Sequence, residues 1–181
     1  VTLQNRPRYR LRERNFTMPL KQVLAQSDAL AQQHRHFEFW AFFHSDTVLV
    51  KTLDETTEEP TAPGGWELPV DTILQAASEL AHSWHSSSAA LQQALTQFAP
   101  NESRVGDSHA IFPSPRRVRF NEMEYSVPAE RAIACVEELF ATVKRSGIDT
   151  LFPIEYRYVK ADNVWLSPFY QQDSVAISIH Q

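Results

Sequence analysis

The sequence predicts an α+β fold in which a mostly antiparallel sheet is flanked by helices. Strand-like segments come mainly as adjacent pairs joined by short turns, and helix-like segments lie between the pairs. Strands joined by short turns pair antiparallel, and helices that follow such pairs pack together on one side of the sheet. The predicted order is β-α-β-β-α-β-α-β-β. At 181 residues the chain is one large domain or two small ones, and it is long enough to bury a core.

The first half of the chain sets this pattern. Residues 2–13 alternate loosely and predict a strand. A helix follows, beginning near Pro19 and ending near His34, because apolar residues recur there at helical spacing. Residues 36–43 and 47–53 predict a hairpin of two aromatic and β-branched strands. Both parities of the run FEFWAFF are largely apolar, which predicts a central strand buried on both faces.

The second half repeats the alternation. Glycine and proline mark its loops, and apolar periodicity marks its helices. The predicted segments are an acidic loop at 54–70, a helix from Asp71 that continues or restarts through Phe98, an irregular stretch at 100–117, a strand at 117–127, a helix from Pro128 closed by Gly147, and strands at 151–160 and 174–180.

Composition excludes several classes of protein. The net charge of −5 argues against nucleic-acid binding, which normally needs a basic patch. No run approaches the roughly 18 apolar residues of a membrane span, and the start lacks a signal-peptide pattern. One cysteine excludes an internal disulfide and fits a cytoplasmic protein. Seven histidines without HExxH or Cys/His spacing predict no metal site.

The four glycines and the two chain ends point to a part of a larger protein. Four glycines cannot build a GxGxxG or Walker-type phosphate loop, so this chain has no recognisable means of holding a nucleotide by itself. Strand-like sequence at both ends leads us to expect a piece of a longer chain.

The stretch FPIEYRYVKADNVWLSP poses the functional question. Alternation places Phe152, Ile154, Tyr156 and Tyr158 on one face of a strand, and Glu155 and Arg157 on the other. Two interpretations are open at this stage. The charged face is either the wet side of a sheet or the floor of an active site.

The last strand favours the second interpretation. In SVAISIH, Ser178 and His180 share one face. If strands 151–160 and 174–180 pair, the polar sets of both lie together. A carboxylate that accepts hydrogen bonds and a guanidinium that donates them would then suit a polyhydroxyl ligand.

Four segments carry a family resemblance: HFEFWAFFHSDTVLVK, VRFNEMEYSVP, PIEYRYVKADNVWLSP and DSVAISIH. They resemble the aldonolactone oxidoreductases of the vanillyl-alcohol-oxidase superfamily, which include D-arabinono-1,4-lactone, L-gulonolactone and alditol oxidases. The resemblance implies an FAD-linked oxidase C-terminal cap-like domain, the substrate-binding (cap) domain over residues 1–181. FAD would be bound mainly by an N-terminal domain absent here, so the piece alone should be inactive.

The resemblance also implies residue roles. Glu155 would bind the substrate hydroxyl that is oxidised, and Arg157 would lie near the flavin ring as both a catalytic and a cofactor-binding residue. Ser178 and His180 would bind the sugar chain. The substrate is a sugar lactone or a polyol, with oxygen as the expected acceptor, in a cytoplasmic protein with possible peripheral membrane association. The alternative from another class is a non-catalytic α+β binding or interaction module.

Overall fold

The computed structural model describes residues 2, 4–5, 7–62, 75–80, 88–113 and 119–180. Seven strands and four helices are named below, and residues 75–80 are helical as well. The strands are β1 Arg10–Pro19, β2 His36–Ala41, β3 Thr47–Thr56, β4 Glu102–Asp107, β5 Glu122–Pro128, β6 Ile154–Val159 and β7 Ser174–His180. The helices are α1 Leu20–Gln33, α2 Ser88–Gln97, α3 Ser108–Ile111 and α4 Ala129–Ser146.

The seven strands form one sheet in the order β4-β1-β3-β2-β6-β7-β5. Every neighbouring pair of these strands is antiparallel. The predicted α+β architecture is therefore confirmed. The predicted hairpin is β2–β3, and the predicted pairing of the last two strands is β6–β7.

The main core lies on one face of the sheet, beneath α1 and α4. Each helix contributes small side chains that let it approach the sheet closely, Val23 and Ala31 from α1 and Ala132 and Val136 from α4. The sheet side of this core consists of Phe37, Phe39, Ala41, Val48, Val50, Ile154, Tyr156, Val175 and Ile177. A second, smaller cluster of Leu11, Leu53 and Ile111 lies where α3 packs on β1 and β3.

Helix α4 begins and ends where its sequence predicts. Pro128 precedes its first residue in an extended conformation, and Glu130 lies in the first turn, where a carboxylate suits the positive end of the helix dipole. Gly147 ends it with φ of 67°, a left-handed conformation that is strained for any residue with a Cβ.

Three local predictions are wrong. The first strand covers Arg10–Pro19 rather than residues 2–13. The stretch 100–117 is not irregular throughout, because it contains β4 and α3. Only Val105 of β4 is buried among the polar residues of ESRVGD, so this edge strand shows little apolar pattern. Strand β2 is central, as predicted, but it is not fully buried on both faces, because Phe37, Phe39 and Ala41 are buried while His36, Glu38 and Trp40 are half-buried.

Several predicted segments are described only in part. Residues 114–118, at the end of the stretch 100–117 and the start of the predicted strand 117–127, lie outside the described residues. Of the helix from Asp71 to Phe98, residues 75–80 and α2 are helical, while 71–74 and 81–87 lie outside the described residues. Of the loop at 54–70, residues 54–56 belong to β3 and 63–70 lie outside the described residues. No helix within the described ranges is long and apolar enough to cross a membrane.

Candidate active-site face of the sheet

The sheet face opposite α1 and α4 carries most of the buried charge, and we call it the charged face. Two rows of residues cross it through the strand register. One row contains Lys51, Glu38, Arg157 and Ala176 on β3, β2, β6 and β7. The adjacent row contains Trp40, Glu155, Ser178 and Glu124 on β2, β6, β7 and β5. Five strands thus bring polar side chains from distant parts of the chain together.

Arg157 stands at the centre of the charged face, among three carboxylates. Its Nη2 donates to Glu155 Oε1, and its Nε donates to Glu38 Oε2 at 3.2 Å. Its Nη1 lies 3.8 Å from Glu124 Oε2. Burial disfavours the charge of Arg157, but Glu155, Glu38 and Glu124 outweigh that effect, so its pKa lies above the ordinary arginine value. Arg157 is therefore a permanent cation at this place.

Glu155 and Arg157 differ in how far they reach solvent. The Glu155 side chain is only 3% exposed, whereas 43% of the Arg157 side chain is exposed. A buried carboxylate is tolerated when a cation and hydrogen bonds compensate for its lost hydration, and Arg157 supplies both. The pair therefore presents an accessible guanidinium beside a shielded carboxylate.

Ser178 joins this cluster directly. Its position is opposite Glu155 on β6 and opposite Glu124 on β5. The Ser178 hydroxyl donates to Glu124 Oε2 at 2.7 Å, and the side chain is buried. Ser178 thus fixes a carboxylate that also faces Arg157.

His180 lies on the same face but at the end of the sheet. Its Nδ1 is 3.3 Å from the carbonyl oxygen of Pro153, and its Nε2 is 3.5 Å from Glu122 Oε1. Its ring packs edge-on against Phe120, with centroids 4.8 Å apart. The structure therefore gathers Glu155, Arg157 and Ser178 into one cluster and places His180 in contacts of its own beside it.

Sequence reasoning missed the partners on other strands. Glu38 contacts Arg157, and Lys51 lies 3.1 Å from Glu38 and 3.8 Å from Glu13. Arg104 donates to Glu13 at 2.9 and 3.2 Å, extending the ionic chain to the edge strand β4. The sequence does carry a signal for Glu38, because alternation places it with His36 and Trp40 on one face of β2. Trp40 and Phe42 hide this signal, because they make that face of the strand look apolar.

The other candidate groups of the chain are dispersed. No cluster of three or more His, Cys, Asp or Glu side chains suited to a metal ion occurs within the described ranges. His34 lies 2.7 Å from Asp54 at the end of α1, away from the charged face. Cys135 is a free, half-buried thiol that packs against the main core.

The fold is similar to that of solved oxidases. A solvent-stable cholesterol oxidase matches 97% of this chain with a TM-score of 0.70 and 17% identity, over 43% of its own length. A cholesterol oxidase from B. sterolicum matches 96% of the chain with a TM-score of 0.62 and 13% identity, over 43% of its length. The predicted cap-like fold of FAD-linked oxidases is thereby confirmed.

Sequence comparison then gives the family. The profile of the D-arabinono-1,4-lactone oxidase family matches residues 1–181, and the chain belongs to this family. It is 28% identical to an L-gulono-1,4-lactone dehydrogenase of Mycobacterium tuberculosis, over 100% of this chain and 44% of that protein. It is 26% identical to the L-gulonolactone oxidase of Mus musculus, over 99% of this chain and 42% of that protein. The chain thus spans less than half the length of these relatives.

Proposed function

We propose that this chain is the substrate-binding (cap) domain of an FAD-dependent oxidoreductase that oxidises a hydroxyl-bearing carbon of a sugar-1,4-lactone. The observation that carries the proposal is the Glu155–Arg157 pair on the charged face, with its half-exposed guanidinium. Membership of a lactone oxidase family supports the substrate class. The first substrate to test is a lactone of the D-arabinono-1,4-lactone type, and the second is an alditol, which would be oxidised at a hydroxyl.

The chemistry of these side chains fits such a reaction. Glu155 accepts a hydrogen bond from the hydroxyl to be oxidised, which orients the carbon that loses hydride. Ser178 holds Glu124 in place, and His180 sits at the side of the face where the sugar chain would extend. Arg157 provides a fixed positive charge that would stabilise the negative charge of the reduced flavin ring.

The residues present fit an FAD that lies over the charged face. Arg157 is always ionised and reaches solvent, so it can contact a group placed on that face. The FAD would supply the acceptor for the hydride. Because the sequence lacks a glycine-rich phosphate loop, we expect a separate domain to bind most of the cofactor. The isolated 181 residues should then be inactive, while the whole protein is expected in the cytoplasm with oxygen as acceptor.

The experiment uses full-length protein carrying this chain. Flavin bleaching is followed anaerobically with a panel of sugar lactones and alditols, and reoxidation by oxygen is measured afterwards. Glu155→Gln and Arg157→Ala should each lower turnover at least ~100-fold, because each removes a charge from the reacting site.

The matched controls are Glu138→Gln and Arg145→Ala. These residues form an exposed ion pair on α4, 2.7 Å apart, remote from the charged face. The turnover of both control variants should stay near that of the parent protein. Near-normal turnover in both site variants would reject the site. A full-length protein that neither binds flavin nor oxidises any lactone or alditol would favour the non-catalytic module.

A further inference from the structure

The contact between Glu38 and Arg157 joins two strands from opposite halves of the chain. Glu38 lies on β2 directly opposite Arg157 on β6, 119 residues away in sequence. Glu38 accepts from Nε of the guanidinium while Glu155 accepts from Nη2. Two carboxylates that engage Nε and an Nη together hold the guanidinium plane and leave little rotation about the last side-chain bonds.

Glu38 is itself fixed from its other side. Lys51 Nζ lies 3.1 Å from Glu38 Oε1, which leaves Oε2 for Arg157. Lys51 also lies over the ring of Trp40, 5.8 Å from the ring centroid, and 3.8 Å from Glu13. The side chains of Glu38 and Lys51 are only 13% and 16% exposed, so solvent screens these contacts only weakly. The carboxylate of Glu38 is therefore held by a cation on each side.

We propose that Glu38 is a positioning residue that holds the Arg157 guanidinium in the orientation that presents its charge to a ligand. The consequence for turnover rests on the proposed function, whereas the contact between the two side chains does not. Without Glu38, Arg157 retains Glu155 and Glu124 and turns toward them. Its cation then leaves the orientation that Glu38 sets, and it engages more of the Glu155 carboxylate that the substrate hydroxyl would also use.

The first measurement reports orientation and does not depend on activity. Full-length protein labelled with 15N in arginine is studied by NMR, and the Nε–H signal of Arg157 is assigned by its loss in Arg157→Lys. Exchange of this hydrogen with water should be at least ~10-fold faster in Glu38→Ala than in the parent protein, because its acceptor is removed. Glu38→Gln should lie between them, since an amide oxygen still accepts but does not bind Lys51 as strongly.

The second measurement is a double-mutant cycle on turnover. Glu38→Ala should lower kcat by about 10- to 100-fold, because small misplacements of a catalytic charge have effects of this size. In the Arg157→Ala background the same substitution should change kcat less than ~2-fold, since its effect passes through Arg157. A purely structural role would lower the midpoint of unfolding equally in both backgrounds and would not show this coupling.

Glu102→Ala is the matched control. Glu102 lies on β4 in the same row of the sheet, beyond Asn15 and Lys51, and is exposed. Both the Arg157 exchange rate and kcat should be unchanged by it. If Glu38→Ala fails to fold, Glu38→Gln carries both measurements.

The outcomes separate this inference from the proposed function. Unchanged exchange in both Glu38 variants, or independent effects of Glu38 and Arg157 on kcat, would overturn the positioning role. Faster exchange together with coupled kcat values supports it. Faster exchange in a protein that oxidises no lactone or alditol supports the positioning of Arg157 and overturns the oxidase function.

Discussion

Strand β6 presents two different environments on its two faces. Toward α1 and α4 it sends Ile154 and Tyr156, and Tyr156 stacks on Phe39 with ring centroids 4.4 Å apart. Tyr156 is 1% exposed, and burial raises the pKa of its hydroxyl to about 12. Toward the charged face the strand sends Glu155, which is almost as inaccessible as Tyr156, and Arg157.

Similar burial has opposite energetic consequences on these two faces. Removing apolar surface from water drives folding, at roughly 25 cal/mol per Å². Removing a carboxylate from water is unfavourable, and pairing at best offsets that cost. The main core accounts for the sheet without any need for Glu155 to be buried. The charged face thus buries carboxylates whose lost hydration has to be offset by partner cations, a requirement that the apolar core does not have.

The largest predicted effect comes from the helix-covered face. Phe39→Ala removes a fully buried ring that contacts Phe37 and Tyr156, and it should lower the free energy of unfolding by about 3–5 kcal/mol. Urea unfolding measures this change. Phe98→Ala, at a side chain that is 78% exposed, is the matched control and should stay within about 0.5 kcal/mol. Equal losses in both variants would contradict the assignment of Phe39 to the core.

A smaller effect is predicted on the charged face. Lys51→Met removes the cation between Glu38 and Glu13 and should lower the free energy of unfolding by about 1–3 kcal/mol, because both carboxylates lose a partner. The loss should persist in high salt, since Lys51 is only 16% exposed. The control is Arg145→Met on the exposed face of α4, which should cost less than about 1 kcal/mol. A loss for Lys51→Met that disappears in salt would show an exposed, screened contact instead.

The two faces also differ in how well the sequence predicts them. Alternation along β6 and β7 is a local property, so the grouping of Glu155, Arg157 and Ser178 followed once the two strands were paired. The placement of β2 beside β6 is not local, because more than 100 residues separate them, and Glu38 could not be assigned to Arg157 without it.

The same distinction explains the missed strand. Edge strand β4 buries only Val105, and it is held by backbone pairing with β1 and by Arg104–Glu13. A segment that contributes little to the core leaves little apolar periodicity to read.

The smallest predicted effect concerns a single hydrogen-bonded carboxylate at the end of α1, outside the charged face. Asp54 accepts from the backbone N–H of Arg35 at 2.9 Å and lies 2.7 Å from Nδ1 of His34. Partial burial raises the pKa of Asp54, but the hydrogen bonds from Arg35 and His34 outweigh it, so the pKa falls below its ordinary value of 3.8. The ionised carboxylate therefore stabilises the folded state above about pH 4, and this contribution is lost as the pH falls through the folded pKa.

Asp54→Asn should lower the free energy of unfolding by about 1 kcal/mol at pH 7. The difference in free energy of unfolding between Asp54→Asn and the parent protein should narrow below pH 4, because protonation then removes the charge of Asp54 from the parent protein as well. Urea unfolding at pH 7 and pH 3 measures both values. Asp149→Asn is the matched control, since Asp149 is exposed and 3.8 Å from His44, and it should show no such narrowing. A gap that stays constant with pH would mean that hydrogen-bond geometry, rather than charge, makes Asp54 stabilising, unlike the carboxylates around Arg157.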